Sequence, residues 1–175
     1  MIRTNNKITE KKTGSGDEEK MEKSKLLQSI GDLEQKFDIK FKEFQRDCMF
    51  EVGKCNDVFV CVPTGFGKSF CYCFLPMFFS LLNNDISICD SLYCCPYIVI
   101  VVTPLLSLMN DQVERFSELG LSCSFVGETQ DDREEIAAVS RGERNLVLIT
   151  PEALTQWRKV LCSQSYQKIF KSYCN

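Results

Sequence analysis

The sequence predicts an α/β domain built on a parallel sheet flanked by helices. Three observations carry this. From residue 57 onward, short apolar stretches alternate with helical ones. The stretch YIVIVV (97–102) is continuously apolar and β-branched, the pattern of a strand buried on both faces. A polar glycine-bearing loop, PTGFGKS (63–69), follows directly on the first strand.

Size and composition agree with this class. The 175 residues suit one domain with a sizeable core. Hydrophobic residues make up 44% and charged residues 26%, ordinary for a globular chain. The net charge of −3 gives no bulk signal for nucleic acid, so any such site must be local. There are 11 cysteines, an odd and irregular set without a CxxC, and no histidine. That argues against a disulfide framework and against a Cys/His zinc site. It points to a reduced, intracellular protein.

Residues 1–25 are polar and lysine-rich and read as a disordered tail, with the folded domain expected over 26–175. EEKMEKSKLLQSIGDLEQKF has helical character, weakened at Gly31. FKEFQRDCMFEV places Phe41, Phe44, Cys48 and Val52 near helical spacing, with Gln45 on the flank. DVFVCV (57–62) is a strand, and a helix should start near Lys68. The run FCYCFLPMFFSLL (70–82) has 13 residues and a proline, too short to span a bilayer and better read as a buried helix. NNDISICDSLYCC (83–95) is a connection of no clear type. LLSLMNDQVERFSEL (105–119) puts Leu105, Met109, Val113 and Phe116 on one helical face. SCSFV (122–126) and NLVLI (145–149) are strands, and a helix over 131–142 ends at Gly142.

In a parallel sheet, ligands bind beyond the carboxyl ends of the strands. All four polar loops, after residues 62, 102, 126 and 149, are expected there, on one edge. Gly65 and Gly67 allow a backbone that wraps a phosphate closely. Lys68 is placed to reach the β- and γ-phosphates, and Ser69 to hold Mg²⁺. The strict pattern GxxxxGK[ST] would need glycine where Val62 stands. A glutamine can pair with adenine N6 and N7, although a solvated helix glutamine is the commoner role for a residue such as Gln45. Thr103-Pro104 and Thr150-Pro151 each follow a strand and should open a helix, threonine as cap and proline in the first position. Two such ends suit a nucleic-acid backbone, or simply cap two helices.

Together these stretches resemble the first half of a superfamily 2 helicase, specifically of the RecQ family. FKEFQ (41–45) resembles the adenine-reading motif FRPxQ, with Glu43 in place of its proline. PTGFGKSFCY (63–72) resembles PTGxGKSLCY, and Cys73 stands where a glutamine often follows. VVTPLLSLMNDQV (101–113) is similar to VVSPLISLMxDQV, the longest of the matches. NLVLITPEAL (145–154) is similar to the LLYxTPERL stretch. The resemblance covers residues 35–160 and implies a RecA-like P-loop domain. It implies that Gln45 reads adenine, with no aromatic residue clearly placed to stack on it. Thr64, Gly65, Phe66, Gly67, Lys68 and Ser69 would hold ATP and its Mg²⁺. Thr103, Pro104, Thr150 and Pro151 would line a DNA-strand path. It further implies 3′ to 5′ unwinding of DNA driven by ATP, without a membrane, and in the nucleus if the source is eukaryotic.

Hydrolysis in that family needs an Asp-Glu box closing a further apolar strand. The only Asp-Glu pair here is Asp17-Glu18, in the polar tail. The sequence thus reads as a domain truncated before the Walker B strand, with Lys68 catalytic only in a chain completed by such a box.

Overall fold

The computed structural model describes residues 2–5, 16–82 and 97–161. The 83–95 connection and the end of the chain from residue 162 lie outside them. The chain divides into two compact units, Met1–Asp85 and Ile86–Asn175.

The first unit departs from the expected tail. Strand β1 (Ile2–Asn5) pairs antiparallel with β2 (Asp57–Val60), Ile2 opposite Val60. Helix α1 (Gly16–Lys36) begins before residue 26, the expected start of the folded domain, and runs unbroken through Gly31. Leu26, Ile30 and Leu33 recur at helical spacing and are fully buried, so packing holds a helix that propensity alone would weaken. Asp38, at φ 50°, turns the chain. Phe41 N–H donates to Glu34 Oε1 at 2.9 Å, and Arg46 forms an ion pair with Glu34 at 2.9 Å. These contacts fix the start of α2 (Glu43–Gly53) against α1.

The apolar run is two helices rather than one: α3 (Phe70–Cys73) and α4 (Leu75–Leu82). Pro76 accounts for the break. It sits in the first turn of α4, where a missing N–H costs no bond. The buried-helix reading holds, since Leu75 to Ser80 are all buried. Among the described residues no helix is long and apolar enough to cross a membrane. Phe74 collects Phe37, Phe41 and Phe70 around it, at centroid distances of 4.9, 5.4 and 5.5 Å. Burying a ring of this size contributes about 1.5–3 kcal/mol.

The second unit carries the parallel sheet: β3 (Val99–Val102), β4 (Cys123–Val126) and β5 (Leu146–Ile149), in the order β3-β5-β4. All pairs are parallel and in register, so Val102, Ile149 and Val126 end side by side. The order corrects one expectation. β5 is the strand buried along its whole length, because it lies between the other two. β3 pairs only with β5 among the described residues; it is half-buried, and Val102 is 49% exposed. Helices α5 (Leu106–Glu118), α6 (Arg133–Arg141) and α7 (Pro151–Leu161) complete the unit. Met109 and Phe116 of α5 are fully buried, but Leu105 stays outside the helix and is exposed. Val126, Val139, Val147, Ile149 and Ala153 form a core cluster, with Trp157 against it.

Candidate functional site

The loop between β2 and α3 is shaped by alternating backbone hand. Gly65 and Gly67 stand at φ 83° and 89°, and Phe66 between them is not among the positive-φ residues. Such alternation turns successive N–H groups to one side, the concave nest that binds anions. None of the backbone hydrogen bonds among the described residues uses the amides of Gly65, Gly67, Lys68 or Ser69 as donors. Those donors are available to an anion. Lys68 extends back over the loop, where Nζ donates to the carbonyls of Val62 and Pro63, 3.0 Å each. The ammonium thus stands at the loop's own mouth, on an exposed side chain that is free to swing. Ser69 stands at the N-cap position of α3, at φ −60° and with no side-chain cap bond. The regular helix starts at Phe70 and has four residues, so it supplies less dipole than a longer helix would. Charge here comes mainly from the loop amides and Lys68. Thr64 and Phe66 are exposed on the same loop.

Gln45 is not a solvated flank residue. It is 4% exposed, and its amide is used at both ends. Oε1 accepts from the N–H of Lys42 at 2.8 Å, and Nε2 donates to the Gly67 carbonyl at 2.8 Å. A β-carbon on Gly67 would stand 2.9 Å from Gln45 Nε2, so glycine is required twice over, for its φ and for this approach. The N-cap residue of α2 holds the loop by a second link that the sequence did not suggest. Lys42 Nζ donates to the Phe66 carbonyl at 3.0 Å and lies 5.0 Å over the Phe66 ring.

In the second unit the sheet edge presents three loops together. Thr103 N–H donates to Ile149 O at 3.0 Å, and Thr150 N–H to Val126 O at 3.3 Å. Thr103, Thr150 and Gly127 therefore line up just past the strand ends. The two Thr-Pro loops are not equivalent. Thr150 is a true cap: its Oγ1 accepts from Ala153 N–H at 3.2 Å, and Pro151 opens α7. The expected Thr103 cap is absent. Helix α5 starts two residues after Pro104, with Leu105 as its cap residue and no side-chain bond there. Thr103 is half-buried and Pro104 exposed, whereas Thr150 is buried and Pro151 exposed. The phosphate loop belongs to the first unit and this edge to the second. β2 pairs with β1, not with the three-stranded sheet, among the described residues.

A strand followed by a glycine nest with Lys-Ser, and a parallel sheet with polar loops at its carboxyl edge, are features of α/β proteins of the P-loop class. Residues 42–170 match the DEAD/DEAH box helicase family, and the chain belongs to it. Its relatives are RecQ-like. It is 31% identical over 120 residues to the ATP-dependent DNA helicase RecQ of Bacillus subtilis, covering 66% of this chain and 18% of that protein. It is 32% identical over 131 residues to the ATP-dependent DNA helicase hus2/rqh1 of Schizosaccharomyces pombe, covering 71% and 9%. To the ATP-dependent DNA helicase Q5 of Mus musculus it is 37% identical over 102 residues, covering 55% and 9%. The chain thus spans less than a fifth of the length of these relatives.

Proposed function

We propose that this chain is the ATP- and DNA-binding part of a RecQ-like, ATP-dependent 3′–5′ DNA helicase, and an incomplete portion of it. The observation that carries the reading is the nest at 65–67, with its unspent amides beside Lys68. A triphosphate would take those amides and draw Lys68 off the Val62 and Pro63 carbonyls. Ser69, at the start of α3, would hold the accompanying Mg²⁺. Gln45 keeps one Nε2 hydrogen and one Oε1 lone pair beyond its two bonds, enough for a bidentate pair with adenine. Thr103, Pro104, Thr150 and Pro151 would follow a DNA strand along the sheet edge, through backbone and hydroxyl contacts rather than a basic surface. The protein would work inside the cell, in the nucleus if the source is eukaryotic.

A second reading is a nucleotide- or nucleic-acid-binding module that does not hydrolyse ATP. Asp17-Glu18 favours it, because the pair falls at the start of α1 and not after a strand. Titration calorimetry with Mg·ATP tests the shared part. The wild-type chain should bind, and Lys68→Ala should bind at least about tenfold more weakly, the loss of a charged contact to phosphate. Equal affinity of the two would sink the assignment.

A further inference from the structure

We infer that Cys48 and Cys71 form a peroxide-sensitive dithiol, which hydrogen peroxide converts to a disulfide between α2 and α3. Cys48 sits midway along α2, and Cys71 is the second residue of α3. The two helices pack together. The two thiols are hydrogen-bonded to each other, and neither is in a disulfide. They are 5% and 7% exposed, so only a small oxidant reaches them. Cys123, the buried thiol of the second unit, makes a useful contrast. It meets oxygen, at the Ser117 hydroxyl and the Val113 carbonyl, and has no sulfur there to bridge to. Cys48 and Cys71 need only close from contact to about 2 Å for a bond. Helix α3 has four residues and ends at Phe74, so a small shift of one short element is enough.

The hydrogen bond also divides the roles. The Cys71 S–H donates to the Cys48 sulfur. That bond holds the Cys48 thiol below its ordinary value, opposed by burial. It pushes Cys71 up, and burial adds to the rise. The thiolate is the nucleophile, so Cys48 reacts first. Its sulfur attacks one peroxide oxygen, and the O–O bond breaks. Cys48 becomes a sulfenic acid, and the other oxygen leaves as hydroxide and takes up the proton lost from Cys48, giving water. The Cys71 sulfur then attacks the Cys48 sulfur. The S–O bond breaks as the S–S bond forms, and the departing hydroxide takes the Cys71 proton as a second water. Two thiols are oxidised and one peroxide is reduced to two waters. The bond closes residues 48–71, with β2 and the glycine loop, into one covalent ring. Reversible bonds of this kind suit a reducing compartment, where lasting disulfides are rare.

The test maps the bond in the full 175-residue chain. Dilute native chain is treated with stoichiometric hydrogen peroxide, and remaining thiols are blocked with N-ethylmaleimide. The unreduced chain is digested with trypsin and chymotrypsin and analysed by mass spectrometry. Tyr72 lies between Cys71 and Cys73, so chymotrypsin tells the two apart. Peptides of Cys48 and Cys71 should be joined at least about tenfold more often than any other pair, because thiols already in contact need no chain closure. Dithiothreitol should restore both thiols, and in urea the preference should vanish. Cys71→Ser should abolish the link and leave a Cys48 sulfenic acid that dimedone traps, whereas Cys73→Ser should keep the link. A bond between Cys71 and Cys73 in its place would overturn the inference. So would Cys48 and Cys71 recovered unlinked while the exposed Cys55 and Cys61 oxidise, or a link equally frequent in urea. The wild-type map alone decides if a serine variant does not fold.

Discussion

Single side chains here work mainly by holding backbone in place. Gln45 spends its amide on the Lys42 N–H and the Gly67 carbonyl, which fixes which end is oxygen and which is nitrogen. Gln45 is thus a strut of the loop. Glu135 is the charged counterpart in the second unit. Arg144 donates to both its oxygens, Nη2 to Oε1 at 2.5 Å and Nε to Oε2 at 3.1 Å. The Arg144 hydrogen bonds hold its carboxyl below its ordinary value of 4.5, opposed by partial burial. Because the folded value is the lower one, the pair's stabilisation is fully present above 4.5 and fades as pH falls through the folded value. Both side chains are partly exposed, so the contribution is about 0–1 kcal/mol. Unfolding free energies of wild type and Glu135→Gln from urea titration should differ by that amount at neutral pH and converge in acid. A gap that widens in acid would contradict the ion pair.

At the scale of elements, the two Thr-Pro segments make a controlled comparison. Thr150 caps α7 from a buried position, so Thr150→Val removes a cap and leaves the Ala153 N–H without its acceptor. The expected cost is about 1–2 kcal/mol in chemical denaturation. Thr103→Val should leave stability within about 0.5 kcal/mol, because no side chain caps α5. Equal costs would show that Thr103 forms a bond absent from this structure. The sequence could not tell the two apart. Both read strand-Thr-Pro-helix, and only the extra non-helical residue at Leu105 separates them. The same limit explains β3 and β5. Each is a run of apolar residues, and which one is central follows from strand order, not from pattern. What was legible was local. Gly142 closes α6 at φ 77°. The glycines at 65 and 67 were legible for the same reason. The pairing of β1 with β2, 55 or so residues apart, and the reach of Lys42 to Phe66 are contacts between distant positions with no periodic signature.

For the molecule as a whole, the question is whether binding a triphosphate leads to breaking it. Phosphoryl transfer to water needs a carboxylate that holds Mg²⁺ and another that orients the water. Removing one such electrostatic contribution costs on the order of 10³-fold in rate. The chain's one Asp-Glu pair lies at the start of α1, so it has no strand end to present it. The 175-residue chain is therefore expected to bind Mg·ATP without releasing phosphate, and added single-stranded DNA should leave that rate at background. Phosphate release that vanishes in Lys68→Ala would mean that another carboxylate serves. Two carboxylates of the second unit would be the first to test. Glu128 follows β4 and Glu152 lies in the first turn of α7, and both line one cavity of about 140 Å³ at the carboxyl end of the sheet. Glu128→Gln and Glu152→Gln would then decide between them. Loss of turnover with Mg·ATP affinity retained would identify the water-orienting group, and loss of both would identify a group that holds the metal.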